Sequence, residues 1–139
     1  MLQYDQFIRE LPTLFTAVFV AILFIQSGFD KVFDRKGNLE WLTGHFAKSP
    51  LAGTVPVMLS AITVMEIITG LASAVGIFYF IFTGSGVVLF WAAALGTATI
   101  TALFFGQRVA KDYAGAAVLV PYFILLLLMM ALSSPLTLR

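Results

Sequence analysis

Glu66 is the residue whose type and position most clearly indicate chemistry. It lies within the apolar run 56–82. If this run is a helix that crosses a membrane, Glu66 is about 15 Å from Pro56, near the middle of the bilayer. An ionisable side chain at that depth costs about 2.5–3.5 kcal/mol and usually faces the bundle interior, where it has a partner. Glu66 is therefore the first candidate for a buried polar site.

Candidate partners of Glu66 lie at the ends of the neighbouring apolar runs. In the first run, Gln26 and Asp30 are four residues apart, as are Ser27 and Lys31, so each pair shares a helical face. The link between the third and fourth runs adds further charged side chains. We predict a buried polar network, able to bind a ligand, that consists of Gln26, Asp30, Lys31, Glu66, Arg108 and Asp112.

Two other interpretations of these charged residues stay open. The charges at the ends of the runs are also typical of interfacial residues that stop a span, with lysine and arginine extending towards the headgroups. A buried ion network can also be purely structural. Tyr122 is a further predicted lining residue, because its hydroxyl can form a hydrogen bond within a helix bundle.

Four apolar runs must position these residues. They cover 11–33, 56–82, 86–106 and 113–134 in a chain that is 60% hydrophobic and only 11% charged. Soluble domains carry roughly 25% charged residues. Each run has the length needed to span a bilayer and is expected to be helical, because backbone groups in lipid must be paired internally. The sequence thus predicts an all-α membrane protein with one domain over 1–139.

The links between the runs predict the topology. Short links favour antiparallel neighbours, hence an antiparallel four-transmembrane-helix bundle. The first link is longer, and its segment 38–49 is predicted to be a short amphipathic interfacial helix, with Asn38 as its N-cap and Trp41 as an anchor. Pro121 is expected to kink the fourth span.

An antiparallel bundle would place most of the charged residues on one side of the membrane. The positive-inside rule then assigns that side to the cytoplasm. That rule counts free loop charges, so burial of several of these residues in a site would weaken the assignment. A site that faces the periplasm stays an open alternative.

Composition excludes several kinds of chemistry. The chain has no cysteine and one histidine, His45, so thiol chemistry and metal sites of ordinary composition are not expected within one chain. The formal net charge of +1 gives no basic field for nucleic acid. No P-loop and no dinucleotide-binding fingerprint is present. We predict no catalytic residues, no metal and no intrinsic cofactor, and we do not expect the chain to be catalytic on its own.

Three stretches carry a resemblance to a known family: FIQSGFDKVFD, MEIITGL and GQRVAKDYAGAAVLVPYF. They contain the spacing G-[FL]-x-K followed by E-x-x-x-G, at Gly28, Phe29, Lys31, Glu66 and Gly70. In these features the chain resembles the DoxX family of small four-helix integral membrane proteins. The family name comes from a subunit of a thiosulfate:quinone oxidoreductase, and other members are linked to oxidative-stress complexes.

The resemblance implies a multi-pass protein of a bacterial inner (cytoplasmic) membrane, with membrane-protein partners or a homo-oligomer. The first functional hypothesis is an accessory, non-catalytic subunit of a respiratory or redox complex in electron transport. The second is a self-contained protein that binds a quinone, a lipid or another small lipophilic molecule, with Glu66, Gln26 and Tyr122 in the pocket. The third, a small proton-linked transporter, has less support because the sequence shows no internal repeat.

Overall fold

The computed structural model describes residues 2–135, which are helical with no strand in that range. The domain predicted over 1–139 therefore extends beyond the described residues at both ends. A short 3-10 turn at Ala52–Thr54 precedes the fourth α-helix. The helices are α1 (Tyr4–Arg9), α2 (Leu11–Phe33), α3 (Arg35–His45), α4 (Val55–Thr83), α5 (Val87–Val109), α6 (Tyr113–Val118) and α7 (Val120–Ser133).

Four helical segments are long and apolar enough to cross a membrane, as the sequence predicted. They are Leu11–Phe33, Ala52–Thr83, Val87–Val109 and Tyr113–Ser133. Large apolar side chains such as Phe15, Ile22 and Phe78 point outwards and are exposed. These features make the chain a multi-pass membrane protein. The third segment continues three residues past the expected end at 106, so Gln107 and Arg108 are part of a helix.

The fourth segment is divided at Leu119, within one turn of Pro121. Proline has no backbone N–H, and its ring collides with the carbonyl four residues earlier. The N–H of Leu119 bonds to the carbonyl of Ala116, three residues back, at 3.1 Å. The α-helical pattern resumes when Phe123 donates to Leu119 at 3.0 Å. The kink expected at Pro121 is thus a break in the α-helix at Leu119, two residues before the proline.

The helix after the first span begins earlier than predicted and also ends earlier. Its N-cap is Asp34, whose carboxylate accepts a hydrogen bond from the N–H of Gly37 at 3.3 Å. The prediction of Asn38 as N-cap was wrong, because Asp34 precedes it with an ionised oxygen that suits this role. Asn38 lies within α3 and donates to the carbonyl of Asp34 at 2.9 Å. The helix ends at His45 instead of continuing to 49.

Glycines let the backbones of α2 and α4 approach closely. A methyl group added at Gly28 would lie 2.7 Å from Ile67, and one added at Gly70 would lie 2.7 Å from the backbone nitrogen of Ile25. Small residues at such positions permit the close packing on which membrane helices depend. Helix α4 also packs on α5, and α7 contacts both α5 and α2, so the four spans form a closed ring.

Candidate functional site

Lys31 and Glu66 form an ion pair inside the ring of spans. The Nζ atom of Lys31 lies 3.0 Å from Oε2 of Glu66. The Glu66 side chain is 3% exposed and that of Lys31 is 17% exposed. The pair joins the end of α2 to the middle of α4. Glu66 thus has a partner within the bundle, the usual arrangement for an ionisable residue at this depth.

Ser27 links the two charged groups. Its hydroxyl donates to Oε2 of Glu66 at 3.0 Å and accepts from Nζ of Lys31 at 2.9 Å. The backbone carbonyl of Ser27 lies 3.4 Å from the same Nζ. Ser27 was not among the predicted site residues, although its four-residue spacing from Lys31 placed both on one face of α2. The three residues form a compact polar cluster between α2 and α4.

One oxygen of Glu66 has no hydrogen-bond partner among residues 2–135. Both contacts to this carboxylate end on Oε2, and no hydrogen bond from the described residues reaches Oε1. Within residues 2–135, every fully enclosed side-chain nitrogen or oxygen has a hydrogen-bond partner. It follows that Oε1 reaches accessible space, where it can accept a hydrogen bond from water or from a bound molecule.

A cavity of about 250 Å³ lies beside this cluster, and we name it the α3 cavity. Helix α3 and the residue that follows it cover one side, α4 and α5 form the walls, and Lys31 reaches in from α2. Most lining residues are apolar. They are Trp41, Leu42, Phe46, Val55, Met58, Leu59, Ile62, Ala102, Leu103 and Gly106. An apolar cavity with a few convergent polar groups is the usual form of a small-molecule site.

Three polar side chains line the α3 cavity: Lys31, Asn38 and Gln107. The amide nitrogen of Asn38 donates to the carbonyl of Asp34 at 2.9 Å. The amide oxygen of Gln107 pairs with Nε2 of His45 at 2.7 Å. Lys31 and Gln107 come from different helices, α2 and α5. A molecule in the cavity would therefore meet polar groups contributed by more than one helix.

His45 connects the end of α3 to the link after α5. Besides Gln107, its Nε2 faces Oδ2 of Asp112 at 3.6 Å. Its ring stacks on Trp41, with centroids 4.6 Å apart and planes inclined by 15°. The contacts of His45 hold α3 against the rest of the bundle at the side that bears the cavity.

The other predicted network residues lie apart from the Lys31–Glu66 pair. Gln26 is exposed and forms no hydrogen bond to Glu66. Asp30 is also exposed and accepts a long hydrogen bond, 3.4 Å, from Asn38. Both lie on the face of α2 adjacent to the one that carries Ser27 and Lys31, because one residue turns a helix by about 100°.

Arg108 and Asp112, the predicted network residues near the link between the third and fourth spans, contact residues close to them in the chain. The guanidinium of Arg108 lies over the ring of Tyr113, 4.4 Å from its centroid, in a cation–π contact. Asp112 caps α6 by accepting from the N–H of Gly115 at 2.9 Å. Tyr122 is half-buried and packs against the hydrophobic core, outside the lining of the α3 cavity.

No group of three or more acidic or histidine side chains in residues 2–135 is arranged to hold a metal ion. The α3 cavity offers a cation and two side-chain amides against an apolar wall, an arrangement that suits the binding of a small molecule. Comparison of the chain with protein-family models, curated proteins and solved structures finds no match.

Proposed function

We propose that this protein binds a small lipophilic molecule in the α3 cavity, with the Lys31–Glu66 pair at the polar end. The observation that carries this proposal is the position of a buried ion pair next to an apolar cavity of about 250 Å³. Lys31 belongs to both, since its ammonium pairs with Glu66 and its side chain lines the cavity. A pair needed only for structure would not have to border open space.

A quinone is the first ligand to test. Its flat apolar ring suits a cavity walled by aliphatic side chains and Trp41. Its carbonyl oxygens accept hydrogen bonds, which lysine and amide N–H groups donate. The resemblance to the DoxX family supports the same choice, because the family name comes from a subunit of a quinone-linked enzyme. The cavity would hold the ring, and a lipophilic tail would extend between the helices.

We further propose that the four spans are antiparallel and that α3 lies along the membrane interface. The contacts of Gly28 with Ile67 and of Gly70 with Ile25 support the first point for the first two spans, since residue numbers rise along α2 as they fall along α4. The exposed Trp41 ring supports the second, because tryptophan favours the interface. A bacterial inner membrane, with the α3 side in the cytoplasm, is the proposed location.

The binding proposal is tested by tryptophan fluorescence in lipid nanodiscs. Trp41 lines the cavity, whereas Trp91 is an exposed residue of α5 outside it. A Trp91→Phe variant therefore reports on the cavity, and a Trp41→Phe variant reports on quinone dissolved in the bilayer. We expect saturable quenching by a short-chain quinone in the first variant and only linear quenching in the second.

Substitutions in the Trp91→Phe background locate the site. Lys31→Met, made together with Glu66→Gln so that no buried charge is left unpaired, should raise the Kd about tenfold, because it removes a charged hydrogen-bond donor from the cavity. Lys36→Met is the matched control, since Lys36 is exposed on α3 and outside the cavity lining. Linear quenching in both tryptophan variants, or equal effects of the two lysine substitutions, would refute the binding proposal.

The accessory role in a respiratory or redox complex is our second proposal, and the resemblance is its support. It is tested by purification from the native membrane in mild detergent. Stoichiometric recovery with polypeptides that carry haem or iron–sulfur clusters would support it. Recovery of the chain alone, with extractable quinone that is lost in Glu66→Gln, would favour the binding protein.

A further inference from the structure

The side-chain amide of Gln107 uses its oxygen in a hydrogen bond, whereas its nitrogen has no partner among the described residues. Its oxygen Oε1 lies 2.7 Å from Nε2 of His45. Its nitrogen Nε2 forms no hydrogen bond to any residue in the described part of the chain. Since Gln107 lines the α3 cavity, the two N–H groups of this nitrogen are the part of the side chain left to bind a molecule there.

The surroundings of His45 determine which end of the amide is free. Its Nε2 faces two oxygen atoms, Oε1 of Gln107 at 2.7 Å and Oδ2 of Asp112 at 3.6 Å. A carboxylate only accepts hydrogen bonds, so the proton of the ring is favoured on Nε2. An N–H at this position requires the oxygen of Gln107, not its nitrogen, to point towards His45. The stacking of the His45 ring on Trp41 holds the ring in this orientation.

The charge balance of the cavity restricts the ligand. Among the described residues, Lys31 is the only charged side chain in the cavity lining, and its charge is already matched by Glu66 at 3.0 Å. Because the pair is neutral overall, it compensates little for the hydration that a charged ligand would lose in a cavity whose lining is mostly apolar. An uncharged ligand avoids this loss and can accept hydrogen bonds from Gln107 and, in place of the long 3.4 Å contact with the Ser27 carbonyl, from Lys31.

We infer that Gln107 is the second polar contact of the ligand, a hydrogen-bond donor held in place by His45, and that the ligand is an uncharged lipophile with acceptor oxygens. This inference rests on the proposed function and makes it specific. Gln107 contacts the ligand, whereas His45 is a positioning residue that acts through the Gln107 amide. Lys31 from α2 and Gln107 from α5 then bind different acceptor atoms of one molecule.

The test uses three probes that share one ring system and differ at the polar end. They are 1,4-naphthoquinone, which is neutral with two acceptors, 1-naphthoate, which is an anion, and naphthalene, which has no polar group. Binding of 1,4-naphthoquinone is measured in nanodiscs by quenching of Trp41 in the Trp91→Phe protein, and the affinities of the other two probes by their competition with it. We expect 1,4-naphthoquinone to bind more tightly than either of the other two probes.

Gln107→Leu removes the donor and leaves an apolar side chain of similar volume. It should weaken binding of 1,4-naphthoquinone about tenfold and leave naphthalene binding unchanged. His45→Phe keeps a ring beside Trp41 but removes the N–H, so it should cause a smaller loss for the same probe alone. A general disturbance of α3 would weaken both probes equally, and that result would overturn the inference.

Other outcomes separate the inference from the function on which it rests. If wild type binds 1,4-naphthoquinone and Gln107→Leu binds it equally well, the inference is wrong and the binding proposal stands. Tighter binding of 1-naphthoate than of 1,4-naphthoquinone would overturn the uncharged-ligand inference in the same way. If no probe gives saturable quenching, the proposed function fails, and the inference fails with it.

Discussion

The two members of the Lys31–Glu66 pair should not be equally important for stability. Glu66 is 3% exposed, while Lys31 is 17% exposed and lies in the last turn of α2. If Lys31 is removed, the Glu66 carboxylate stays enclosed with only the Ser27 hydroxyl as partner. If Glu66 is removed, the long lysine side chain can extend to the interface and recover its hydration.

This asymmetry gives the expected magnitudes. Leaving a buried charge without its partner destabilises a protein by about 3–5 kcal/mol, so Lys31→Met should fall in this range. Glu66→Gln should destabilise by about 1–2 kcal/mol, close to the loss of one charged hydrogen bond. The double variant leaves no buried charge and should be destabilised by no more than about 2 kcal/mol. The coupling energy between the two sites is then at least about 2 kcal/mol, and about 5 kcal/mol at the upper ends of the single-variant ranges.

The free energy of unfolding can be measured by titration with SDS in mixed micelles, followed by helical circular dichroism. Lys36→Met and Glu40→Gln are matched controls, because both residues are exposed on α3, and each should change stability by less than about 0.5 kcal/mol. The reasoning is refuted if the double variant equals the sum of the single variants, or if Glu66→Gln is more destabilising than Lys31→Met.

Two further predictions concern packing and capping. Gly70→Ala should destabilise the protein by about 1–3 kcal/mol, because the new methyl group would lie 2.7 Å from the backbone nitrogen of Ile25. Gly44→Ala is the control, because no atom lies within 4 Å of the added methyl group, and it should be neutral or slightly stabilising in the same SDS titration. Equal effects of the two changes would contradict the close packing of α2 on α4 at Gly70. Asp112→Ala should lower the stability by about 1 kcal/mol through loss of the α6 N-cap, whereas Asp112→Asn should retain most of the capping energy. A thermal melt in which Asp112→Asn is the less stable variant would argue against the cap.

The sequence was sufficient to predict the spans, because their length and apolar composition are local properties. It also placed Glu66 and Lys31 among six candidate network residues, since charged residues near or inside a span are few and each needs a partner. It could not choose between the two adjacent faces of α2. Gln26 with Asp30 and Ser27 with Lys31 both have helical spacing, and only packing decides which face meets α4.

That decision depends on glycine. Gly28 lies next to Ser27 and lets Ile67 approach the backbone of α2, which turns Ser27 and Lys31 towards Glu66. Gly28 beside the polar Ser27 was the sequence signal that could have identified this face of α2 as the one that meets α4. The contact of His45 with Gln107 had no comparable signal, because it joins residues 62 apart whose proximity depends on the position of α3.

The order of the two charged residues along the chain has a consequence for biogenesis. Helix α2, which bears Lys31, precedes α4, which bears Glu66. A chain inserted from its N-terminus therefore has the ammonium in place before the carboxylate enters the bilayer. Insertion of α4 with an unpaired charge costs about 3 kcal/mol, and docking on α2 offsets this cost as soon as the pair forms. Membrane integration of α4 should consequently depend on α2, so that α4 expressed without the first span would be inserted less efficiently.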